Sequence, residues 1–527
     1  MTSSSRLRRR RRRGQRNRQI DRAAAAVRAE GIEKGVVELL PAGVHAEIHR
    51  RLPFLHRMAF ASLCTVTGHM LRPEAPWLIL PGEALAAKEE KKTTASYYEE
   101  YSDQEPEEYK PMREPEEEDP DALVTGEEEK STVLSMADRG SRAGYEASVR
   151  TSGLALLDRV IIGSTGGWLV TADEKGTLRM ANPATGAQAA LPAITTIPFL
   201  HSTGGGSWFV LDVEPFVRVR FGGALPPADD KDWGPFPPRT YTLTAAQMRL
   251  KFYRKVVLSS SPRPGSYAAM LIPERHIGAP AFATSEDGAW RMALSHAGIE
   301  DAIHHGGRFI SVSYNGDIEA WRRDAATREY SSEAVAPRLA FGDGKHPRRK
   351  YLAASPDGRL MAVLKHTKEV ELQEHGYGRN KVTRVVFEVR VLDAAAGRWV
   401  GADDIGDAAL FVGINGTVCV KASEHQGVEE DDTRRAGEHQ GVEEDDTRRG
   451  VQAGCVYFTD DEVGEACLRR SQGVTTVRYG YNEPDETELQ ATGVYSLREG
   501  KVTERIAEKS DKQLRWPPPA WFTPSFL

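Results

Sequence analysis

The chain has 527 residues, a formal net charge of −6, 28% charged residues and a mean hydropathy of −0.49. No stretch approaches the run of about eighteen apolar residues that a membrane-spanning helix needs, so we predict no membrane partner. The four cysteines show no CxxC spacing and no nearby pair of histidines. This argues against a zinc site or a secreted disulfide framework, and for a reducing compartment: the nucleus, the cytoplasm or both.

Residues 1–35 are predicted to be a disordered, arginine-rich arm. Residues 1–31 carry eleven arginines against Asp21 and Glu30, a net charge of +9. Such a block is typical of a nuclear-import signal or a phosphate-binding tail, and equally of a self-repelling extension with no specific partner. Because no aromatic residues alternate with the arginines to stack on bases, we expect no nucleic-acid partner.

Residues 36–82 are predicted to be a small helical module. Its apolar residues recur every four positions, which is the spacing of one helix face: Leu40, Val44, Ile48 and Leu52. Pro53 should end the first helix near Leu52. About forty residues are too few for a robust core of their own, so the module is expected to need a partner surface.

Residues 83–150 are predicted to be a disordered acidic linker. Residues 83–138 carry a net charge of −13 and are rich in Glu and Pro. Like charges and prolines leave little to bury, so this stretch would serve as a tether between the helical module and the rest of the chain.

Residues 151–527 show short strand patterns separated by Gly, Asn and Asp turns. Clear hairpins flank the turns at 173–176, 315–316, 355–358 and 414–416, and Asn315-Gly316 is a type I′ turn signal. Strands joined by tight turns make antiparallel sheets and exclude a doubly wound α/β fold. Enough hairpins for five to seven small sheets favour a propeller, although no clean repeat period fixes the number of blades. The predicted fold class is therefore mainly β: a C-terminal β-propeller, a small all-α module before it, a disordered arm and an acidic linker.

Two further features lie inside the predicted propeller. Residues 424–451 are a tandem duplication whose copies, starting at Glu424 and Glu438, share EHQGVEEDDTRR. Each copy has one apolar residue, so no coiled-coil seam exists and a recent loop expansion is the favoured interpretation. The tail from Trp516 to Trp521 either docks as polyproline on another protein or packs on its own domain, and we favour packing.

The sequence predicts no catalytic residue, cofactor or metal ligand. The glycine-rich stretches 163–167 and 204–206 lack the Gly-Lys-Ser/Thr ending of a phosphate loop. His304-His305 has no carboxylate or cysteine at ligand spacing and is predicted to lie at a turn. The carboxylate pairs 403–404 and 460–461 are predicted to be exposed loop acids, although an acid and base pair of a glycosidase propeller stays open.

A family resemblance rests on two sets of residues. The first is Leu40-Pro41, Val44, Glu47-Ile48, Arg51-Leu52, Arg57, Phe60, Leu63-Cys64, Arg72-Pro73 and Pro76 to Gly82. The second, in order, is Gly163-Ser164, Gly167 to Val170, Asn182-Pro183, Thr185-Gly186, Lys255 to Ser259, Tyr351 to Ala353, Val391 to Asp393, Val456 to Asp460 and Val494-Tyr495. They resemble, respectively, the F-box and the C-terminal domain of plant F-box proteins with a KIB-type β-propeller.

The resemblance implies a substrate-recruiting F-box subunit of an SCF-type E3 ubiquitin ligase, without catalytic chemistry of its own. Its partners would be a Skp-type adaptor, through it a cullin, and a target protein that the sequence does not name. The implied adaptor contacts are Leu40, Pro41, Val44, Ile48, Leu52, Phe60 and Leu63.

Two positions depart from the F-box pattern. Gly43 stands where the family usually has Asp, and Thr67 where it usually has Trp. Buried aromatic anchors at an interface are each worth about 2 kcal/mol or more. The alternative is therefore an interaction scaffold with a degenerate F-box and no ligase role, and a third possibility is a propeller hydrolase.

Overall fold

The computed structural model divides the chain into two compact units, Met1–Arg72 and Pro73–Leu527. The described residues, with short gaps, lie within 41–60, 74–80, 130–136, 146–150, 159–212, 240–274, 279–341, 347–373, 379–425, 450–459, 492–506 and 519–525. The predicted arginine-rich arm and most of the predicted acidic linker lie outside them.

In the first unit, helical backbone is found at residues 43–45, 48, 56–57 and 60. The amide of Val44 donates to the carbonyl oxygen of Pro41 at 2.8 Å. His45 is buried, and its ring centroid lies 6.2 Å from that of Phe60. Arg57 is also buried and donates through Nη1 to the carbonyl oxygen of Leu52 at 3.1 Å. These contacts hold the described turns of the first unit together.

The described part of the second unit consists almost entirely of strands. In chain order they are β1 (Trp77–Leu80), β2 (Lys130–Ser135), β3 (Glu146–Arg150), β4 (Val160–Thr165), β5 (Trp168–Ala172), β6 (Leu178–Ala181), β7 (Gln188–Ala190), β8 (Leu200–Thr203), β9 (Trp208–Asp212), β10 (Thr240–Thr244), β11 (Tyr253–Leu258), β12 (Ala268–Pro273), β13 (Ala281–Thr284), β14 (Arg291–Met292), β15 (Ile299–His305), β16 (Arg308–Ser313), β17 (Ile318–Arg323), β18 (Tyr330–Ala336), β19 (Arg349–Ala354), β20 (Leu360–Gln373), β21 (Arg379–Asp393), β22 (Arg398–Gly401), β23 (Ala408–Gly413), β24 (Gly416–Lys421), β25 (Cys455–Phe458), β26 (Gly493–Ser496), β27 (Lys501–Arg505) and β28 (Ala520–Phe522). Short 3₁₀ turns occur at Ile194–Thr196, Gly204–Gly206 and Ala422–His425. None of the described residues belongs to a helix long and apolar enough to cross a membrane.

These strands form seven sheets, which we call A to G in chain order. Their strand orders are A, β28-β1-β2-β3; B, β4-β5-β6-β7; C, β10-β9-β8; D, β11-β12-β13-β14; E, β15-β16-β17-β18; F, β19-β20-β21-β22; and G, β24-β23-β25-β26-β27. Neighbouring strands run antiparallel, as predicted, except that β23 and β25 are parallel.

The core lies between successive sheets. One buried apolar cluster joins sheets B, C and D, and others join D to E, E to F, F to G, and G back to A. Phe282 of sheet D, for example, packs on Trp321 of sheet E with ring centroids 5.2 Å apart. From sheet B round to sheet A, successive sheets therefore bury apolar faces against one another, as the blades of a propeller do.

Five sheets each contribute an edge strand to a closed ring, in which β4, β11, β15, β19 and β24 touch in turn and β24 touches β4. The packing is close: a Cβ at Gly163 in β4 would clash with the carbonyl oxygen of Val256 in β11. The amide of Ser164 donates to the carbonyl oxygen of Asn415 at 2.7 Å. This propeller-like arrangement confirms the prediction of a mainly β fold with five to seven small sheets.

The C-terminal strand β28 completes sheet A by pairing with β1. Trp521 is fully buried there, and its amide and carbonyl bond the Asn415 side chain at 3.2 and 2.6 Å. Its indole N–H donates to Val412 at 3.1 Å. The prediction that the tail packs on its own domain is confirmed for Trp521, whereas Trp516 lies outside the described residues.

The structure moves two predicted domain boundaries. Residues 77–80 were assigned to the helical module and 130–150 to the disordered linker, but β1, β2 and β3 are strands of sheet A. Leu80 pairs with Thr132, so the acidic stretch is a connection between neighbouring strands of the second unit. It does not stand between the two units, because the first unit ends at Arg72.

A repeated turn closes the last hairpin of sheets B, E, F and G. A short polar residue, Asn182, Asp324, Asp393 or Ser496, is followed four positions later by Gly186, Arg328, Gly397 or Gly500, whose φ lies between 59° and 73°. The side-chain oxygen of the first residue accepts backbone amides inside the turn. This turn is a repeat signal that the sequence interpretation did not detect.

The hairpin predicted at Asn315-Gly316 is present as β16–β17, but its turn is not type I′. A type I′ turn needs positive φ at both central residues, and Arg328 is the one described non-glycine residue with positive φ. The amide of Gly316 instead donates to the carbonyl oxygen of Ser313 at 3.0 Å. Paired positive φ values occur at Gly166-Gly167 and Gly306-Gly307.

The duplicated stretch leaves and re-enters sheet G at one place. Residues 426–449 lie outside the described residues, but His425 and Val451 at their two ends are both buried. The amide of Val451 donates to the carbonyl oxygen of His425 at 3.2 Å. The duplication therefore sits in a connection whose ends are already held together.

Candidate functional site

Five of the seven residues assigned to adaptor contact are described. Pro41 is exposed, Val44 is 40% exposed on helical backbone, and Ile48, Leu52 and Phe60 are half-buried. Leu40 and Leu63 lie outside the described residues. The described members are available, wholly or in part, to a partner surface.

The second unit has a polar cleft of about 520 Å³ between sheets D and E. Its lining includes seven hydroxyl side chains: Ser259, Ser260, Ser261, Ser266, Tyr267, Thr284 and Ser285. Glu286, His304 and Arg323 add charged or titratable groups. The lining comes from the β11–β12 and β13–β14 turns of sheet D and from β15 and β17 of sheet E.

His304 and Ser260 join the two walls of the cleft. The Nδ1 atom of His304 accepts the amide N–H of Ser260 at 3.1 Å and lies 2.7 Å from the Ser260 hydroxyl oxygen. Burial, and secondly the neighbouring His305, lower the pKa of His304, so its ring is neutral at pH 7. Because an amide can only donate, Nδ1 is an acceptor and the ring proton belongs on Nε2.

Asp287 anchors Arg323 beneath the cleft. The Asp287 carboxylate accepts the amide and the hydroxyl of Thr284 at 3.0 and 2.7 Å, and Nη2 of Arg323 at 3.1 Å. Nε of Arg291 approaches it at 3.4 Å. Burial opposes ionisation, but hydrogen bonds from Thr284 and the charge of Arg323 prevail and lower the pKa of Asp287. Arg323 is thus held in place as a cation.

A second charged group lies on the inner ring. Lys255 of β11 pairs with Asp301 of β15 at 2.5 Å, and Lys350 of β19 pairs with Glu300 of β15. The four side chains are between 3% and 6% exposed. Asp301 also accepts the amide of Leu352 at 2.8 Å. These pairs bind three ring strands together, and burial raises the pKa of Glu300 despite the opposing charge of Lys350.

The predicted chemical candidates are placed as follows. Asp403 and Asp404 are exposed, and Asp404 accepts the amide of Gly406 at 2.7 Å, which is the role of a loop acid. The pair at 460–461 lies outside the described residues. Within the described part of the chain, no three His, Cys, Asp or Glu side chains are grouped to hold a metal ion.

Sequence interpretation missed the cleft and the buried ion pairs. The cleft could not be recognised because its residues come from separate turns, and His304 meets Ser260 across 44 positions. The ion pairs left a signal in the sequence: Glu300-Asp301 lies inside β15 and Arg349-Lys350 begins β19, and all four of these charged residues are buried. Consecutive charges within a buried strand indicate paired partners on a neighbouring strand.

Solved structures with similarity to this chain include three with a TM-score of 0.18. The β-propeller domain of Cps50 (Swd1) from Myceliophteria thermophila is 10% identical, with 46% of this chain and 85% of that chain covered. PorZ, a surface component of the type-IX secretion system of Porphyromonas gingivalis, is 12% identical, with 52% and 36% covered. SapL1 lectin in complex with α-methyl fucoside is 8% identical, with 49% and 85% covered. TM-scores of 0.18 support no conclusion about this fold or its ligands.

No curated protein matches this chain. Residues 140–432, more than half of the chain, match the family model of the KIB1-4 β-propeller. That range contains sheets B to F and β23 and β24 of sheet G, and so all five ring strands. The chain belongs to the KIB1-4 β-propeller family.

Proposed function

We propose that this protein is the substrate-recruiting F-box subunit of an SCF-type E3 ubiquitin ligase, in which the propeller holds the target protein. The KIB1-4 β-propeller supports a protein-interaction role. The observation that carries the adaptor half of the proposal is Val44, which leaves a large apolar side chain 40% exposed on helical backbone. An exposed apolar side chain in a small helical unit is what an adaptor surface would bury.

The mechanism is proximity, with no covalent step by this chain. The first unit binds the Skp-type adaptor and thereby the cullin, and the propeller raises the effective concentration of the target near the ubiquitin-charged enzyme. The proposed compartments are the nucleus and the cytoplasm. A hydrolase would need two converging acids with room for substrate. The two buried acids of the ring, Glu300 and Asp301, are each tied to a lysine instead.

Binding of the purified full chain to an immobilised Skp-type adaptor tests this proposal. We expect micromolar or tighter binding by the natural sequence. Val44→Asp should weaken it about thirty-fold, because an interface anchor is worth about 2 kcal/mol. The matched control is Val400→Asp, since Val400 is a similarly exposed valine (44%) in β22 of the second unit. That variant should bind like the natural chain.

A Thr67→Trp variant separates the two remaining interpretations. If only this variant binds the adaptor, the F-box has degenerated and the protein is an interaction scaffold without a ligase role. If neither the natural chain nor the variant binds, the F-box interpretation is wrong.

A further inference from the structure

The polar cleft between sheets D and E offers hydrogen-bond donors rather than acceptors. The buried carboxylate of Asp287, which holds Arg323 of the lining, accepts hydrogen bonds from Thr284, Arg291 and Arg323. Nδ1 of His304 is occupied by Ser260. These two acceptors are therefore already in use.

Several hydrogen-bond donors of the cleft lining are available to a ligand. Among the described residues, the hydroxyls of Ser261, Ser266, Tyr267 and Ser285 make no hydrogen bond to the protein. The neutral ring of His304 carries its proton on Nε2, which adds an N–H. A hydroxyl can also accept, so charge has to decide which ligand the cleft prefers.

The charged groups favour an anion. Arg323 is 25% exposed, and Asp287 holds its Nη2 at 3.1 Å. Within the described part of the chain, the partner of Nη1 of Arg323 is the carboxylate of Glu286, at 3.9 Å, a distance too long for a hydrogen bond. Glu286 is 72% exposed and can swing into water at little cost. A ligand that supplies an anionic oxygen would replace Glu286 beside a cation that is already fixed.

We propose that this cleft binds the anionic group of a target-protein side chain, a carboxylate or a phosphate, through Arg323 and the hydroxyls of Tyr267 and Ser285. The proposal rests on the proposed function in one respect: it takes the propeller to be the part that holds the target. Charge-assisted hydrogen bonds from a guanidinium with neighbouring hydroxyl donors suit both groups. Most of the side chains that line the cleft carry a polar group, unlike those of the mainly apolar pockets that hold drug-sized molecules.

Ligand-dependent stabilisation of the full chain tests the proposal. The probes are inorganic phosphate and acetate, each compared with chloride at matched ionic strength, and the shift of the unfolding transition with concentration gives an apparent Kd. Phosphate alone stabilising the protein assigns the cleft to phosphorylated side chains, and acetate alone assigns it to Asp or Glu. Stabilisation by both supports the shared anion chemistry, and stabilisation by neither overturns the proposal.

Variants locate the bound anion. Glu286→Gln removes the exposed competitor and should tighten the apparent Kd about two- to five-fold. The matched control is Glu333→Gln, because Glu333 is 60% exposed and pairs with Arg308 of the same sheet outside the cleft lining. It should leave the Kd unchanged. Ser285→Ala should weaken binding without removing the anchor of Arg323.

An unchanged Kd in Glu286→Gln would place the anion elsewhere and overturn the assignment to this cleft. Adaptor binding, measured on the same preparations, keeps the two proposals separate. If the chain binds the adaptor but neither anion, only the cleft proposal is overturned. Loss of adaptor binding with anion binding intact sinks only the ligase proposal.

Discussion

Replacing Lys350 with methionine tests whether the buried ion pairs hold the ring. Lys350 and its partner Glu300 are 6% and 3% exposed, and they join β19 to β15. Methionine keeps the length and removes the charge, so Glu300 keeps the amide of residue 350 at 3.1 Å but loses its cation. Breaking one partner out of a buried pair costs about 3–5 kcal/mol, because the remaining charge stays uncompensated.

The cost should depend on pH in a direction that the structure fixes. Burial already raises the pKa of Glu300, and removing Lys350 raises it further. A carboxyl group whose pKa is higher in the folded than in the unfolded chain stabilises the fold below the unfolded pKa of about 4.3. This stabilisation is lost as the pH rises through the folded pKa. The penalty in Lys350→Met should therefore be largest near pH 7 and shrink as the pH falls towards about 4.3.

Urea unfolding, followed by tryptophan fluorescence at several pH values, measures this. The matched control is Lys421→Met, because Lys421 pairs with Glu424 at 3.7 Å and both side chains are more than 40% exposed. It should cost less than about 0.5 kcal/mol. A cost in Lys350→Met below about 1 kcal/mol at pH 7, or one that does not fall on acidification, would refute the buried-pair argument.

Three further predictions concern turns and loops. Arg328 has a φ of 61° at a position where the equivalent turns have glycine. In urea unfolding, Arg328→Gly should therefore stabilise the protein by about 0.5 kcal/mol, and Gly397→Ala should destabilise it by about 1 kcal/mol. A lower stability of Arg328→Gly than of the natural chain would contradict this. The pKa of His304 is lowered in the folded protein. Its contribution to the free energy of unfolding is therefore complete above the unfolded pKa of about 6.5 and declines as the pH falls through the folded pKa. His304→Gln should flatten that slope below about pH 6.5, and a natural chain without the slope would show the reasoning to be wrong. Deleting residues 427–448 should leave the fold intact and raise the free energy of unfolding by about 1 kcal/mol, because the His425–Val451 contact then closes a shorter loop. Aggregation of the shortened protein, or a lower urea concentration at its unfolding midpoint, would contradict this prediction.

The sequence alone predicts the local part of this fold well. Hairpins such as β5–β6 and β19–β20 follow from alternating strands about a turn, because their signals lie within about twenty residues of one another. The prediction succeeds here because turn chemistry and strand pairing are decided by the same short stretch.

Strands whose partners are distant escape that reasoning. Residues 77–80 directly follow the helices of the predicted module and were grouped with it, yet Leu78 pairs with Trp521, more than four hundred positions away. Lys130–Ser135 follows an acidic stretch whose composition dominates any local pattern, and only its pairing with β1 and β3 makes it a strand. Tertiary pairing decides both cases, and local propensity cannot supply it.

The candidate sites divide in the same way. Helical spacing predicts that Val44 shares one helix face with Ile48 and Leu52, and its adaptor role is a proposal that the family resemblance implies. The cleft combines two turns of sheet D with β15 and β17 of sheet E, and the role of Arg323 depends on Asp287, which is 36 positions away. The position of the Arg323 side chain depends on a residue of another sheet, so no local sequence motif marks it as part of a site.

The corrected boundary changes the proximity argument of the proposed function. A disordered tether of 68 residues between the two units would have a root-mean-square length of about 45 Å, whereas the second unit follows the first directly in sequence, from Arg72 to Pro73. Glu74, Ala75 and Pro76, at the start of the second unit, are buried. Inserting twenty Gly-Ser residues between Arg72 and Pro73 should therefore slow ubiquitin transfer to a bound target, because effective concentration falls as a link lengthens. The same insertion at residue 105 extends a connection between β1 and β2 and should leave the rate unchanged. Equal rates for both insertions would show that the short connection does not set the transfer geometry.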